Sequence, residues 1–369
     1  MTAGVAAADP LDPGLDPGFE PAIDAVVDQL LAKAEATDQA DHLPQEHFAA
    51  LADLGLYGMV VAPEAGGLGL APPTIRRVLR RLGSGCGATA FAFAQHHGTT
   101  ASVASTANAG LRDRWLGPLT SRALAGIAYA HVRRSGTPVL RATPESPSAG
   151  STDGETWVLD GEAPWVTSWG LAEVLGVAAR TDDGRMVWAL VPAKEAPGLS
   201  VAKRFELSVL GATATVALHF DDYRVQPDQL LSVVDFAPWA GHDRHLAARP
   251  NPLCLGVGDR AMAMLADVAP ERAAELGPAW ADIGRRSEEQ AVLVDQRRAD
   301  EDTVAGVRAE AVLATQHLTS ALLAAVGGRA MVAGHPAQRL HREAGFYVVQ
   351  AQNESGQRAM LDRVARRLI

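Results

Sequence analysis

The chain has 369 residues, 47% of them apolar, and a formal net charge of −10. This length and apolar content allow two or three packed units around a substantial buried core. The acidic balance argues against a nucleic-acid partner, because a phosphate backbone would repel it. A compact anionic ligand remains compatible with the sequence, since local arginines could hold it.

The sequence predicts a cytoplasmic protein without a membrane segment. No apolar run approaches the roughly 20 residues that span a bilayer, and no basic segment followed by an apolar stretch opens the chain. Cys86 and Cys254 are the two cysteines. They can form at most one bridge, so we expect them to be buried small hydrophobic residues.

The first third of the chain is predicted to be helical. Residues 1–20 repeat Asp-Pro and Pro-Gly steps and are interpreted as a disordered tail, followed by an N-terminal helical domain over residues 21–121. A helix begins near Pro21, and a second begins near Pro44 and ends at Gly55, which can adopt a left-handed cap. The glycine-rich segment 63–69 is predicted to be a turn.

Strand patterns dominate residues 122–232, which we interpret as a middle β domain. Asp160-Gly161 and Asp183-Gly184 each lie between apolar runs and predict hairpins. Residues 213–220 alternate in polarity, as a strand with one buried face does. Residues 144–155 are rich in Ser, Gly, Thr and Pro and are predicted to form a loop.

Helix returns over residues 233–369, most clearly in an apolar stripe from Val304 to Ala325. Helices, then strands, then helices is the order of an α+β protein whose sheet is inserted between helical parts.

The four residues Trp165-Val166-Thr167-Ser168 form the sharpest local signal. An aromatic residue and two hydroxyls at a strand end are typical of sheet packing, and they also suit a ligand site. Neighbouring sequence is needed to decide between the two.

Four ordered motifs make the chain resemble the acyl-CoA dehydrogenase superfamily of flavoproteins. They are Leu54-Gly55-Leu56 with Pro63-Glu64 and residues 66–69; residues 161–168; Phe220-Asp221-Asp222 with Val225 and Pro227; and Gly327-Gly328 with Pro336, Leu340, Arg342-Glu343-Ala344 and Arg358. The resemblance implies an N-terminal helical domain, a middle β-barrel or β-sandwich domain and a C-terminal four-helix bundle. It also implies a homodimer or homotetramer with FAD at subunit interfaces.

The same resemblance implies which residues contact the flavin. Trp165 would pack on the ring, and Thr167, followed by Ser168, would offer a hydroxyl near its reactive N5 edge. Gly327-Gly328 would let the backbone approach the FAD of a neighbouring subunit. The amides of Gln352 and Asn353 could supply further hydrogen bonds.

The family base is predicted to be missing. Ala351 stands where the resemblance places the catalytic glutamate, and Ala248, beside Arg249, occupies the alternative position used by some members. A methyl group cannot accept a proton. The backbone N–H of Ala351 could still bind an acyl carbonyl, while His131 and Glu354 remain weak candidates for the base.

The segment following Tyr129 departs from the family pattern of flavin and coenzyme A contacts. His131 falls about where a flavin-contacting hydroxyl is expected and could act as a donor or as a core histidine. Arg133 and Arg134 could pair with phosphates or remain solvated. A metal site at His242, Asp243 and His245 is disfavoured, because Pro238 and Gly241 predict an exposed loop there.

Three functional hypotheses follow from these residues. The first is an FAD-dependent oxidoreductase that acts on an acyl-CoA or related acyl substrate, with an electron-transfer partner. The second is a monooxygenase that takes reduced FMN or FAD from a reductase. The third is a non-catalytic subunit of a heteromeric acyl-CoA dehydrogenase.

Overall fold

The structure is a computed structural model, and it describes residues 18–133, 136–145 and 156–368. Most of the predicted tail and loop, together with Arg134, therefore lies outside the described residues. The helices are α1 Phe19–Ala32, α2 Ala34–Asp38, α3 Gln45–Asp53, α4 Pro72–Gly85, α5 Gly87–Ser105, α6 Ala109–Ser121, α7 Phe236–Ala248, α8 Pro252–Val268, α9 Pro270–Asp295, α10 Glu301–Val326, α11 Pro336–Phe346 and α12 Glu354–Leu368. The α+β class predicted from the sequence is confirmed.

All eight described strands lie between the two groups of helices. They are β1 Ala125–Ala128, β2 Leu140–Glu145, β3 Thr156–Val166, β4 Val174–Arg180, β5 Arg185–Pro192, β6 Leu199–Arg204, β7 Val216–Val225 and β8 Leu230–Asp235. They form one sheet in the order β6-β7-β3-β2-β4-β5-β8, and β1 pairs with β4 in parallel. The turn at Asp183-Gly184 joins antiparallel β4 and β5, as predicted.

The prediction of a hairpin at Asp160-Gly161 is wrong. Both residues lie inside the continuous strand β3, where the register with β7 shifts between Leu159 and Gly161. Gly161 has φ +117°, and a Cβ atom there would lie 2.0 Å from the carbonyl oxygen of Val139. The glycine therefore marks a bulge and a close backbone approach, which the Asp-Gly pair alone does not distinguish from a two-residue turn.

One further expectation is corrected. Residues 242–245 lie in α7 and not in an exposed loop, because Pro238 occupies the first helical turn, where its missing N–H is tolerated. The helical stretch Glu301–Met331 is long and apolar enough to cross a membrane by length and composition alone. It contains α10, which packs against α8, α9, α11 and α12 in the helical bundle.

One hydrophobic core joins the N-terminal and C-terminal helices, and a separate one fills the sheet. Leu210 and Ala212, from the connection between β6 and β7, belong to the helical core. This connection contacts α5 and continues into Thr213. The end of β3 is thereby tied to the helices through the β6–β7 connection.

Candidate active site

Trp165 is held in an unusual backbone conformation. The register of β3 shifts between Ala163 and Val166, and Trp165 has φ +63°, which is rare for a bulky residue. One face of its indole stacks on Phe205, with ring centroids 4.4 Å apart and planes 9° from parallel. The side chain is nevertheless 47% exposed. The bulge thus directs a large aromatic surface out of the sheet, backed by a second ring.

A buried row of threonine hydroxyls lies beside this indole. The hydroxyl oxygen of Thr167 is 3.5 Å from that of Thr215, which is 3.1 Å from that of Thr213. The backbone N–H of Ser168, at φ +67°, donates to the carbonyl of Thr213 at 2.8 Å. Sequence reasoning missed Thr213 and Thr215, although their alternation in residues 213–220 placed both on the face opposite the apolar one.

Tyr129 and His131 belong to a different cluster. The ring of Tyr129 packs on Trp188 at 5.2 Å, and burial raises the pKa of its hydroxyl. His131 is 5% exposed, and its Nε2 lies 2.9 Å from the carbonyl oxygen of Ala178, so this nitrogen donates. These are the contacts of a core histidine. The sequence had allowed this role beside that of a donor to the flavin.

Arg133 is ion-paired within the protein. Its guanidinium donates to both carboxylate oxygens of Asp243, at 2.8 and 2.9 Å. Asp243 is thus engaged by an arginine, and the described residues contain no group of three or more His, Cys, Asp or Glu side chains suited to a metal.

Ala351 lies in the turn between α11 and α12, with φ +49°. Its N–H has no backbone acceptor among the described hydrogen bonds, whereas the N–H of Gln350 donates to the carbonyl of Phe346. A small cleft at this turn is lined by Ala247, Ala305, Arg308, Ala309, Tyr347, Val348, Gln350, Ala351, Gln352, Asn353, Gly356 and Met360. No aspartate or glutamate is among these lining residues.

The other residues predicted near Ala351 are used inside the chain. The Asn353 side-chain oxygen accepts from the N–H of Gly356 at 2.8 Å in the first turn of α12, and its amide donates to the carbonyl of Arg244. The Gln352 amide donates to the carbonyl of Val348. Glu354 is exposed at the first position of α12. None of these contacts directs a carboxylate into the cleft.

Arg308, which the sequence analysis did not single out, connects the two alanines predicted at base positions. It donates to the carbonyls of Ala247 and Arg249, which flank Ala248, at 2.7 and 3.0 Å. It also donates to the carbonyl of Gln350, just before Ala351, at 2.5 Å. A charged residue within the apolar stripe of α10 was the available signal.

Arg249 itself pairs with Asp295 at 3.1 Å. Asp295 also binds Arg76, so the predicted substrate contact at Arg249 is occupied by an ion-pair network. Gly327 ends α10 at φ +72°, a positive φ that favours glycine. A Cβ atom on Gly327 or Gly328 would meet no described residue within 4 Å.

Residues 20–123 match the family model described as "Acyl-CoA dehydrogenase, N-terminal domain". Among curated proteins, the short-chain specific acyl-CoA dehydrogenase of Bos taurus mitochondria is 24% identical over 207 residues, which are 55% of this chain and 49% of that protein. The chain thus spans about half the length of the curated relatives it matches.

Solved structures share the fold over nearly the whole chain. Glutaryl-CoA dehydrogenase of Mycobacterium smegmatis, determined with FADH2, has a TM-score of 0.77 at 17% identity and covers 95% of both chains. Dibenzothiophene monooxygenase TdsC of Paenibacillus sp. A11-2 has a TM-score of 0.75 at 18% identity, covering 95% of this chain and 98% of TdsC. A further TdsC structure contains FMN.

The order of helices, sheet and helical bundle is that of the acyl-CoA dehydrogenase fold. Residues 20–123 thus resemble the N-terminal domain of the acyl-CoA dehydrogenase superfamily, and nearly the whole chain shares its fold. Members of this superfamily are flavin-dependent oxidoreductases, and they include both dehydrogenases and a monooxygenase.

Proposed function

We propose that the protein binds a flavin, FAD or FMN, against the open face of Trp165 and is an oxidoreductase that acts on an acyl substrate. The outward-facing indole is the observation that carries this proposal, because a flat aromatic face held in place by a stacked ring can pack against a flavin ring. The adjacent hydroxyls of Thr167 and Thr215 suit the polar edge of a flavin ring. A bound flavin supplies a hydride acceptor.

The chain's own contribution at Ala351 is a hydrogen-bond donor and not a base. The N–H of Ala351 can bind an acyl carbonyl, while the cleft beside it offers no carboxylate for an α proton. A positioned base is typically worth about 100- to 10,000-fold in rate. We therefore expect slow dehydrogenation of ordinary acyl thioesters, and faster reaction where the α proton is already acidic.

The flavin proposal is tested by titrating the full chain with oxidised and reduced FAD and FMN, following flavin fluorescence. Trp165→Leu should weaken binding, while Trp115→Leu serves as the matched control because Trp115 is a partly buried tryptophan on α6. Unchanged affinity in Trp165→Leu would overturn the proposal. Anaerobic addition of butyryl-CoA and of 2-acetylbutyryl-CoA, which has a more acidic α proton and still carries hydrogen on its β carbon, then measures reduction of the flavin.

A second candidate function is oxygenation with reduced flavin supplied by a separate reductase. The absence of Asp and Glu among the residues lining the cleft at Ala351 favours it, because this reaction needs no carboxylate base there. Protein with reduced FMN and isotope-labelled dioxygen should then add one labelled oxygen atom to a probe such as indole. Absence of the label in the presence of bound reduced flavin would exclude oxygenation of that probe.

We also propose that the chain forms a homo-oligomer with the flavin site completed between subunits. Met331 and Val332, 64% and 63% exposed, lie just after the open Gly327-Gly328 segment. Apolar side chains grouped in this way favour association. Light scattering that shows a monomer at micromolar concentration would contradict the oligomer, and co-purification with a related chain that carries a glutamate would instead support the partner-subunit hypothesis.

A further inference from the structure

Arg308 is a buried cation that has no carboxylate partner in the part of the chain that the structure describes. It is 8% exposed, and the four acceptors around its terminal nitrogens are the carbonyl oxygens of Ala247, Arg249 and Gln350 and the side-chain oxygen of Gln350. The other buried arginines in the described residues, Arg76 and Arg339, each bind two carboxylates. Only at Arg308, among these three, is the charge balanced by neutral groups alone.

Burying an unpaired charge is unfavourable, and hydrogen bonds to carbonyls offset part of that penalty. Burial lowers the pKa of Arg308 to about 10, which still leaves it charged at neutral pH. The surrounding protein therefore carries an excess of positive charge beside the cleft, and any negative charge that develops there is stabilised in a low-dielectric environment.

The carbonyl of Gln350 and the N–H of Ala351 belong to the same peptide group. Arg308 binds that carbonyl at 2.5 Å. In a trans peptide the two bonds point in opposite directions, so the N–H of Ala351 is directed away from the guanidinium. Drawing electron density toward the carbonyl oxygen makes the same peptide a stronger donor at its N–H.

The left-handed conformation of Ala351 needs support from its surroundings. An alanine at φ +49° is strained relative to a glycine, and such strain persists only where neighbouring contacts fix it. Arg308 provides that contact, and the side-chain oxygen of Gln350 that it also binds accepts from Asn251, at the N-terminus of α8, at 2.9 Å. One guanidinium therefore fixes the turn to the end of α7 and to α10.

We infer that Arg308 is a positioning residue that holds and polarises the Gln350–Ala351 peptide, so that the N–H of Ala351 stabilises a substrate carbonyl as it becomes an enolate-like oxyanion. This inference rests on the proposed function and narrows its substrate class. The substrate is an acyl compound with an acidic α proton, for which carbonyl stabilisation replaces part of the work of a base. Acyl compounds with an electron-withdrawing group next to the α carbon belong to this class.

The inference is tested first without ligand, by labelling glutamine at its carbonyl carbon and alanine at its nitrogen. Only Gln39-Ala40, Gln290-Ala291 and Gln350-Ala351 are Gln-Ala pairs in this sequence, so three amide signals remain. In Arg308→Met the Ala351 amide proton should move upfield while the other two stay in place. Arg308→Lys should restore part of the shift. Equal signals in wild type and Arg308→Met would overturn the inference.

The second measurement adds acetoacetyl-CoA as a carbonyl probe with an acidic α proton. The Ala351 signal of the flavin-loaded wild type should move downfield when the probe binds. Arg308→Met should bind the enolate of the probe roughly tenfold or more weakly, because the hydrogen bond from the Ala351 N–H to the charged enolate oxygen becomes weaker. Arg339→Met combined with Glu343→Leu is the control for loss of a buried arginine that has no contact with the cleft.

Each combination of results decides a different point. An Ala351 signal that depends on Arg308 but ignores the probe would reject the carbonyl substrate, while leaving the flavin proposal to the Trp165→Leu titration. Failure of that titration together with an Arg308-dependent probe response would reject the flavin and keep the carbonyl site. Wild-type probe binding retained in Arg308→Met would reduce Arg308 to a purely structural residue.

Discussion

Arg339 in α11 and Arg308 in α10 are both buried, but different kinds of groups bind their guanidinium groups. Arg339 lies between Glu343 at 2.9 Å and Glu35 at 3.1 Å. Among the described residues, Arg308 has only carbonyl and amide oxygens as partners. The first arrangement balances a guanidinium with carboxylates from α2 and α11, and the second leaves a positive charge beside a cleft. Charge balance thus separates an arginine that supports the fold from one available for chemistry.

The largest effect is expected from removing the paired charge. Arg339→Met leaves the carboxylate of Glu343 buried without its partner, which should reduce the free energy of unfolding by about 3–5 kcal/mol. Urea denaturation measures the change. The double variant Arg339→Met with Glu343→Leu should recover most of the loss. Wild-type stability in Arg339→Met alone would show that the ion pairs of Arg339 do not stabilise the fold.

His96 is a buried ionisable group that stays neutral in the folded protein, so we expect the fold to lose stability in acid. His96 accepts from the N–H of Ala125 at 3.0 Å and donates to the carbonyl of Tyr57 at 3.1 Å, and burial lowers its pKa to about 4 from an ordinary 6.5. Between these values the unfolded chain binds more protons, so stability falls as the pH falls, by up to about 3 kcal/mol. Urea midpoints at pH 7 and pH 5 measure the slope.

The pH slope should decrease in His96→Gln and remain in His219→Gln, because His219 is exposed. Equal slopes in all three proteins would show that other groups cause the acid sensitivity.

Arg308→Met is expected to destabilise the fold less than Arg339→Met does. It removes hydrogen bonds from one buried and two partly buried carbonyls but leaves no opposite charge behind, so we expect a loss of about 1–3 kcal/mol. Parallel urea titrations of the two variants compare them directly. A larger loss in the free energy of unfolding in Arg308→Met than in Arg339→Met would mean that Arg308 is the arginine that mainly supports the fold.

The smallest effect concerns the ring behind Trp165. Phe205→Leu removes the stacked partner at 4.4 Å and should loosen the indole, which weakens flavin binding by about 0.5–1.5 kcal/mol. Flavin titration against Trp115→Leu checks this expectation. An affinity that rises on substitution would mean that Phe205 occupies the flavin's place.

The order of helices and strands was predictable because apolar spacing changes from helical to alternating and back. The Asp160-Gly161 hairpin was not, since a turn and a bulge can both use a glycine at positive φ, and the choice depends on the distant Val139 carbonyl. Likewise, the sequence indicated Trp165 and Ala351 through motif spacing, whereas the partners of His131 and Arg308 depend on which elements fold against them.

A substitution at Gly328 can test whether another molecule binds close to its backbone. The residue is exposed, its φ is not positive, and a methyl group added there would touch none of the residues that the structure describes. Gly328→Ala should therefore be silent in the isolated subunit. Any loss of cofactor retention or of assembly in that variant would measure, by steric exclusion alone, how closely a second molecule approaches this backbone.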